Sequence, residues 1–174
     1  VFKHEMELLF DLEKKVDYNV ALKQKNGNKK RIAIVYDVDG WAFSNIAKEK
    51  QMLNPKASIV TLTYFGAEKT IEGYNVMGVA KAALQSSIRY LAKDLGKDDI
   101  RINAISAGPI KTLSAKGIKD FNGILDVIEQ RAPLHRNVTA KEIGDVASFL
   151  FSDMSNAITG EVIHADNGFS TVAV

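Results

Sequence analysis

Ala57-Ser58-Ile59-Val60-Thr61-Leu62-Thr63, a helical stretch from about Asn75 to Leu95, and Ile100-Arg101-Ile102-Asn103-Ala104-Ile105 form the run that decides the fold. The two short segments are apolar and rich in β-branched residues, as strands covered on both faces are. Between them Val76, Val79, Ala80, Ala83, Leu84, Ile88, Leu91, Ala92 and Leu95 form one broad apolar stripe, which predicts a long helix lying on a core. Gly96 stands where a left-handed C-terminal cap is expected. Strand, long helix, strand predicts a parallel pair joined by a right-handed crossover.

The alternation continues on both sides. Arg31-Ile32-Ala33-Ile34-Val35-Tyr36 reads as a buried strand with the exit loop Asp37-Val38-Asp39-Gly40, and a helical stretch follows near Trp41 to Leu53. Downstream, residues around Lys141 to Ser152 read as a helix and Glu161-Val162-Ile163-His164 as a last short strand. The expectation is an α/β domain with a mostly parallel, doubly wound sheet. At the front, Phe2, Met6, Leu9, Leu12 and Val16 suggest an amphipathic helix ending before Lys25-Asn26-Gly27-Asn28, and Lys29, Lys30 and Arg31 read as a solvated turn. Residues 1–36 are a poorly placed leader within a single domain spanning 1–174.

Composition narrows the chemistry. The 174 residues are 46% hydrophobic and 25% charged, enough for one ordinary core without metal or disulfide staples. There is no cysteine, which removes thiolate zinc, iron–sulfur centres and cysteine nucleophiles. With 23 Lys+Arg against 21 Asp+Glu, the net charge of +2 gives no basic face for nucleic acid. No apolar run approaches the ~18 residues of a membrane span, so a soluble cytoplasmic protein is expected.

In an open parallel sheet the ligand lies beyond the carboxyl ends of the strands. After the Ala57–Thr63 strand come Tyr64 and then Tyr74 and Lys81, the last two being two helical turns apart, with Cα atoms roughly 10 Å from each other on one helix face. A Lys leaning back toward the helix N-terminus, and the positive helix end itself, would lower the Tyr74 pKa and make it an acid. Alone, the spacing also fits an exposed Lys above a half-buried Tyr. After the next strand, Gly108-Pro109 forces a tight turn that brings backbone amide and carbonyl groups to a ligand, and Thr112 adds a hydroxyl; alone, this is simply a turn. His164 reads as structural, with no acid or nucleophile partner nearby. Asp153, Glu161 and Asp166 read as surface or turn residues, and no spacing resembles a metal site. Asn167 tolerates a left-handed turn.

The stretch from Met52-Leu53-Asn54-Pro55 through Tyr64-Phe65-Gly66-Ala67-Glu68 and Tyr74-Asn75-Val76-Met77-Gly78-Val79-Ala80-Lys81-Ala82 resembles the NADH-dependent enoyl-acyl-carrier-protein reductases, a branch of the short-chain dehydrogenase/reductases. Ser106-Ala107-Gly108-Pro109-Ile110-Lys111-Thr112-Leu113 and the closing Ile158 to Phe169 segment are similar to the same family, with Ala165 and Asn167 in place of its usual Val and Gly. The resemblance covers about residues 37–174. It implies a Rossmann-like fold, NADH as cofactor, Tyr74 and Lys81 as catalytic residues and Tyr64 as a further one near the reacting end. It also implies that Lys81, Gly108, Pro109, Ile110 and Thr112 bracket the cofactor, with the Ile110 backbone at the nicotinamide carboxamide. Tyr64, Tyr74, Met77, Ser114, Ala115, Ile118 and Phe121 would meet the substrate, the last four from a substrate-binding loop. A ketoacyl reductase of the same superfamily is disfavoured by the Tyr64 and Tyr74 pair, because that branch carries a Ser ahead of its catalytic Tyr.

The family's front strand and glycine-rich turn have no counterpart, since Gly27 and Gly40 are the only glycines before Gly66. The resemblance therefore implies an N-terminally truncated sheet: a fragment, a truncated paralogue, or a carboxyl portion behind a replaced front. The implied reaction is reduction of trans-2-enoyl thioesters in fatty-acid synthesis. The implied partners are acyl carrier protein, met by Lys111, Lys116 and Lys119, and further copies of the chain in a homotetramer. The alternative is a non-catalytic remnant that serves as a folding or oligomerisation partner.

Overall fold

The computed structural model describes residues 32–35, 56–110 and 121–172. Within them lie β1 (Ile32–Val35), β2 (Ser58–Thr63), α1 (Asn75–Gly96), β3 (Arg101–Ala107), α2 (Phe121–Arg131), α3 (Ala140–Phe151) and β4 (Val162–Ala165). The strands form one sheet in the order β1-β2-β3-β4, and every neighbouring pair is parallel. The architecture is α/β and Rossmann-like. The sequence expectations for helices in 2–16 and 41–53 lie outside the described residues.

Successive strand residues point to opposite faces, and the packing follows that period. Ile59, Ile102 and Ala104 pack with Leu84, Ile88, Leu91 and Leu95 of α1, whereas Val60 and Ile105 pack with Val138 and with Ile143 and Leu150 of α3. The sheet is thus covered on both faces, so β2 and β3 are buried on both sides of the pleat, with Ser58, Thr61, Thr63, Asn103 and Ser106 buried among their apolar residues. A third cluster, Phe65, Ile128, Ala132 and Phe169, closes the carboxyl end, and Phe65 meets Phe169 edge to face at 5.9 Å.

Two expectations need correction. Gly96 is the last residue of α1 and not its left-handed cap. The chain runs on through Lys97 at φ −62 and turns left-handed at Asp99, φ +59, where Ile100 N donates to Leu95 O over 3.3 Å. An Asp can occupy that region because its short polar side chain tolerates it. The apolar stripe of α1 is also narrower than its pattern predicts, since Val79 is 69% exposed and Ala83 is exposed as well. Asn167, by contrast, is left-handed as expected, at φ +59.

Candidate functional site

The parallel register brings the carboxyl ends of β2, β3 and β4 to one edge, where Thr63 pairs with Ser106 and Ser106 with His164. Tyr64 leaves β2 in extended conformation, φ −147 and ψ 151, and enters the short 3-10 turn Phe65–Ala67. Tyr74 precedes α1 and carries its first backbone bond, Gly78 N to Tyr74 O at 2.6 Å. The Tyr64 and Tyr74 rings meet edge to face with centroids 5.0 Å apart. Two glycines make this approach possible. A Cβ on Gly66 would lie 2.5 Å from Tyr74 Cδ1, and one on Gly78 would lie 2.8 Å from Gly66 O.

Lys81, two turns into α1, reaches back to the same strand end, where its Nζ donates to Leu62 O at 3.0 Å. The electrostatics differ from the expectation. Burial, and then the neighbouring Tyr64, push the Tyr74 phenol up to about 12, and burial also raises Tyr64. Desolvation of the phenolate outweighs the lowering expected from Lys81 and the helix end. Tyr74 is a neutral hydrogen-bond donor rather than a strengthened acid.

At the end of β3, Gly108 is buried and its N donates to Ala165 O at 3.0 Å. A Cβ there would stand 3.0 Å from Val138 Cγ1 and 3.3 Å from Asp166 Cα, so any side chain would push the two strand exits apart by a few tenths of an ångström. Pro109 and Ile110 line a groove of about 670 Å³ shared with α2 and residues 137–139. Met77 is half-buried in the first turn of α1. Phe121 is half-buried too, but it opens α2 rather than belonging to a loop. Thr112, Ser114, Ala115 and Ile118, with Lys111, Lys116 and Lys119, lie outside the described residues.

His164 corrects a further expectation, because it has an acid partner: its Nε2 stands 3.1 Å from Glu68 Oε1. The same oxygen accepts from Gln85 Nε2 at 3.2 Å, and that nitrogen also reaches Thr63 Oγ1 at 3.3 Å. Sequence reasoning missed this network. The available signal was Gln85 four residues beyond Lys81 on the same helix face. Asp166 is the turn residue expected of it, its carboxylate accepting from Gly168 N at 3.0 Å and Ser170 N at 2.9 Å. No helix among the described residues is long and apolar enough to cross a membrane.

Comparison with known proteins adds to this geometry. The family model for enoyl-(acyl carrier protein) reductase matches residues 20–170. The chain is 54% identical over 149 residues to the NADH-dependent enoyl-[acyl-carrier-protein] reductase FabI of Bacillus subtilis, covering 85% of this chain and 58% of that protein. It is 52% identical to the NADPH-dependent FabI of Staphylococcus aureus strain MRSA252 over 140 residues, 80% of this chain and 55% of that one. The crystal structure of the Bacillus cereus enoyl-acyl carrier protein reductase with NADP+ and indole naphthyridinone superposes with a TM-score of 0.74 at 53% identity, covering 77% of this chain and 52% of that one. The chain spans about half the length of the curated relatives it matches.

Proposed function

The chain belongs to the enoyl-(acyl carrier protein) reductase family, and from that premise we propose that it reduces trans-2-enoyl thioesters carried by acyl carrier protein, with NADH, in fatty-acid synthesis. The observation that carries the reading is the Tyr64 and Tyr74 ring contact at the end of β2, with the Lys81 ammonium at the adjacent carbonyl of Leu62.

The donor set fits a reduced nicotinamide dinucleotide: an ammonium and neutral phenols suit ribose hydroxyls and a carbonyl oxygen, and Pro109 and Ile110 lie half-buried at the edge of a groove. Lys81 would hold the ribose hydroxyls. The Ile110 backbone, which follows Gly108 and Pro109, would hold the carboxamide, and Thr112 would approach the pyrophosphate. The hydride that the β-carbon of the substrate receives comes from the reduced nicotinamide when it is bound. Tyr74 keeps its proton on Oη and donates a hydrogen bond to the thioester carbonyl, and that bond strengthens as negative charge develops on the oxygen, the oxyanion role, and the α-carbon takes its proton from solvent as the enolate collapses. Lys81 keeps positive charge near the same oxygen, and Tyr64 orients the substrate. Met77, Phe121, Ser114, Ala115 and Ile118 would line the acyl end.

The remaining assignments follow from the same reading. Acyl carrier protein is acidic, and Lys111, Lys116 and Lys119 would meet it. The exposed α1 face, with Val79 at 69% and Tyr90 at 72%, supports association of copies into a homotetramer. The cytoplasm is the compartment this chemistry suits.

The test is a fluorescence titration of the chain with NADH, with NADPH in parallel, alongside reduction of a crotonyl thioester in the same buffer. Saturable binding with turnover that Tyr74→Phe lowers about a hundredfold or more is expected. A cooperatively folded chain that binds neither cofactor and turns nothing over would overturn the reading in favour of a non-catalytic partner.

A further inference from the structure

Glu68 lies at the end of the 3-10 turn that begins immediately after Tyr64, and the turn is fastened at several points. Phe65 is buried against Phe169, and Glu68 N and Lys69 N both donate to Phe65 O, at 2.9 and 3.1 Å. The Glu68 side chain provides the attachment on the opposite side. One of its oxygens, Oε1, takes Gln85 Nε2 from α1 and His164 Nε2 from β4. Gln85 is only 8% exposed, and its Nε2 also reaches Thr63 Oγ1, the residue before Tyr64. An exposed His and Glu pair by itself contributes little. A carboxylate shared with a buried amide from the helix that Tyr74 precedes is a different arrangement, because it couples the Tyr64 turn to α1 and to β4 at once.

The geometry points to Glu68, clamped by Gln85 and His164, as the positioning group that sets Tyr64 against Tyr74. The assignment rests on the reductase reading for its catalytic consequence, while the ring geometry it controls can be read without turnover. Gln85 and Lys81 act as successive rungs on one face of α1, one holding the turn through Glu68 and Thr63, the other the end of β2 through Leu62 O. Loss of the carboxylate leaves Gln85 only its Thr63 contact and removes the link to β4. The turn then keeps its backbone bonds and the Phe65 contact but loses its side-chain tie to α1 and β4.

Glu68→Ala and Glu68→Gln in the full 174-residue chain test this through Overhauser cross-peaks between the Tyr64 and Tyr74 rings, thermal unfolding, and steady-state crotonyl thioester reduction with NADH. Glu68→Ala is expected to weaken the cross-peaks and lower kcat about tenfold or more while KM moves by less than about twofold. Glu68→Gln keeps an acceptor oxygen and is expected to restore both readouts. Unchanged cross-peaks in Glu68→Ala would overturn the assignment whatever the kinetics, as would unchanged kcat, or a Glu68→Gln protein as impaired as Glu68→Ala. Should Glu68→Ala fail to fold, Gln85→Ala carries the same test with a smaller expected loss. Cross-peaks lost in Glu68→Ala, with no turnover by the unsubstituted chain, would sink the reductase reading and leave the positioning role standing.

Discussion

Tyr64 and Tyr74 contact each other edge to face, with centroids 5.0 Å apart and planes at 76°, one ring leaving β2 and the other preceding α1. The positive rim of one ring lies on the negative face of the other, a contact worth ~0.5–1.5 kcal/mol beyond area burial. Tyr74→Phe preserves this contact and removes only the hydroxyl. Its expected result is a kcat about a hundredfold lower or more, with an unchanged thermal midpoint. Tyr64→Phe is expected to cost less, because Tyr64 orients substrate and does not hold the developing charge. Steady-state rates and melting curves of the two variants check the pair; full activity in Tyr74→Phe would remove its assigned role.

The glycines beneath that contact separate two kinds of crowding. On Gly66, an added methyl meets Tyr74 Cδ1 at 2.5 Å and Tyr64 Cδ1 at 3.2 Å, side-chain atoms that can swing away. On Gly78 the obstacle is Gly66 O at 2.8 Å, a backbone atom with nowhere to go. Gly66→Ala is therefore expected to separate the rings and reduce turnover at modest cost in stability. Gly78→Ala is expected to lose about 1–3 kcal/mol by overpacking, although alanine suits a helix interior better by about 1 kcal/mol. Urea midpoints of the two proteins give the comparison, and a Gly78→Ala chain more stable than the parent would show that α1 can shift freely over the turn.

The strands and the long helix were legible because burial on both faces leaves its mark in the local pattern: Ile59 and Val60 point to opposite layers and both are apolar. The Tyr74 and Lys81 spacing was legible only in part, because Lys81 lies in α1 and reaches back to Leu62 O whereas Tyr74 precedes the helix. Other features depend on tertiary structure, which a local pattern does not carry. Phe121, Leu125 and Ile128 have helical spacing, yet the resemblance that placed Phe121 in a loop masked α2. Gly96 signalled a cap, but the turn that feeds β3 forms at Asp99. The upward shift of Tyr74 depends on what surrounds the phenol, and Glu68 meets His164 across 96 positions of chain.

The start of α3 offers a check of electrostatics away from the site. Thr139 Oγ1 accepts from Glu142 N at 3.3 Å, and Glu142 Oε2 accepts from Thr139 N at 2.8 Å, a reciprocal capping box. The Arg136 guanidinium, followed by the Thr139 backbone and hydroxyl, holds the Glu142 carboxyl down at about 2. A carboxylate depressed in the native state contributes its stability above the ordinary value of 4.5, and that contribution fades as pH falls toward about 2. Glu142→Gln is expected to flatten this acid limb of a stability-against-pH curve, slightly, because the pair is exposed. Thr139→Ala is expected to cost about 1 kcal/mol at neutral pH through the lost cap. Chemical denaturation across the acid range checks both, and an acid limb identical in Glu142→Gln would discount the pairing.

The Tyr74 phenol provides the corresponding test at the alkaline end. Burial first, and the repulsion of Tyr64 second, raise it from 10.0 to about 12. The folded chain thus holds this proton more tightly than the unfolded one does. On this account native stability is fully present below pH 10 and is lost as pH rises through about 12. The functional consequence is that Tyr74 remains a neutral donor between about pH 6 and about pH 9, so kcat should show no alkaline limb belonging to it over that range. Tyr64→Phe removes the smaller of the two causes, so the phenol should titrate lower in that variant but still above 10, because burial is the larger cause. Phenolate absorbance followed against pH in the parent, Tyr64→Phe and Tyr74→Phe separates the two rings. A Tyr74 titrating at or below its ordinary value would mean that Lys81 and the helix end outweigh desolvation after all, and would make Tyr74 a proton donor in the reaction instead of a fixed hydrogen bond.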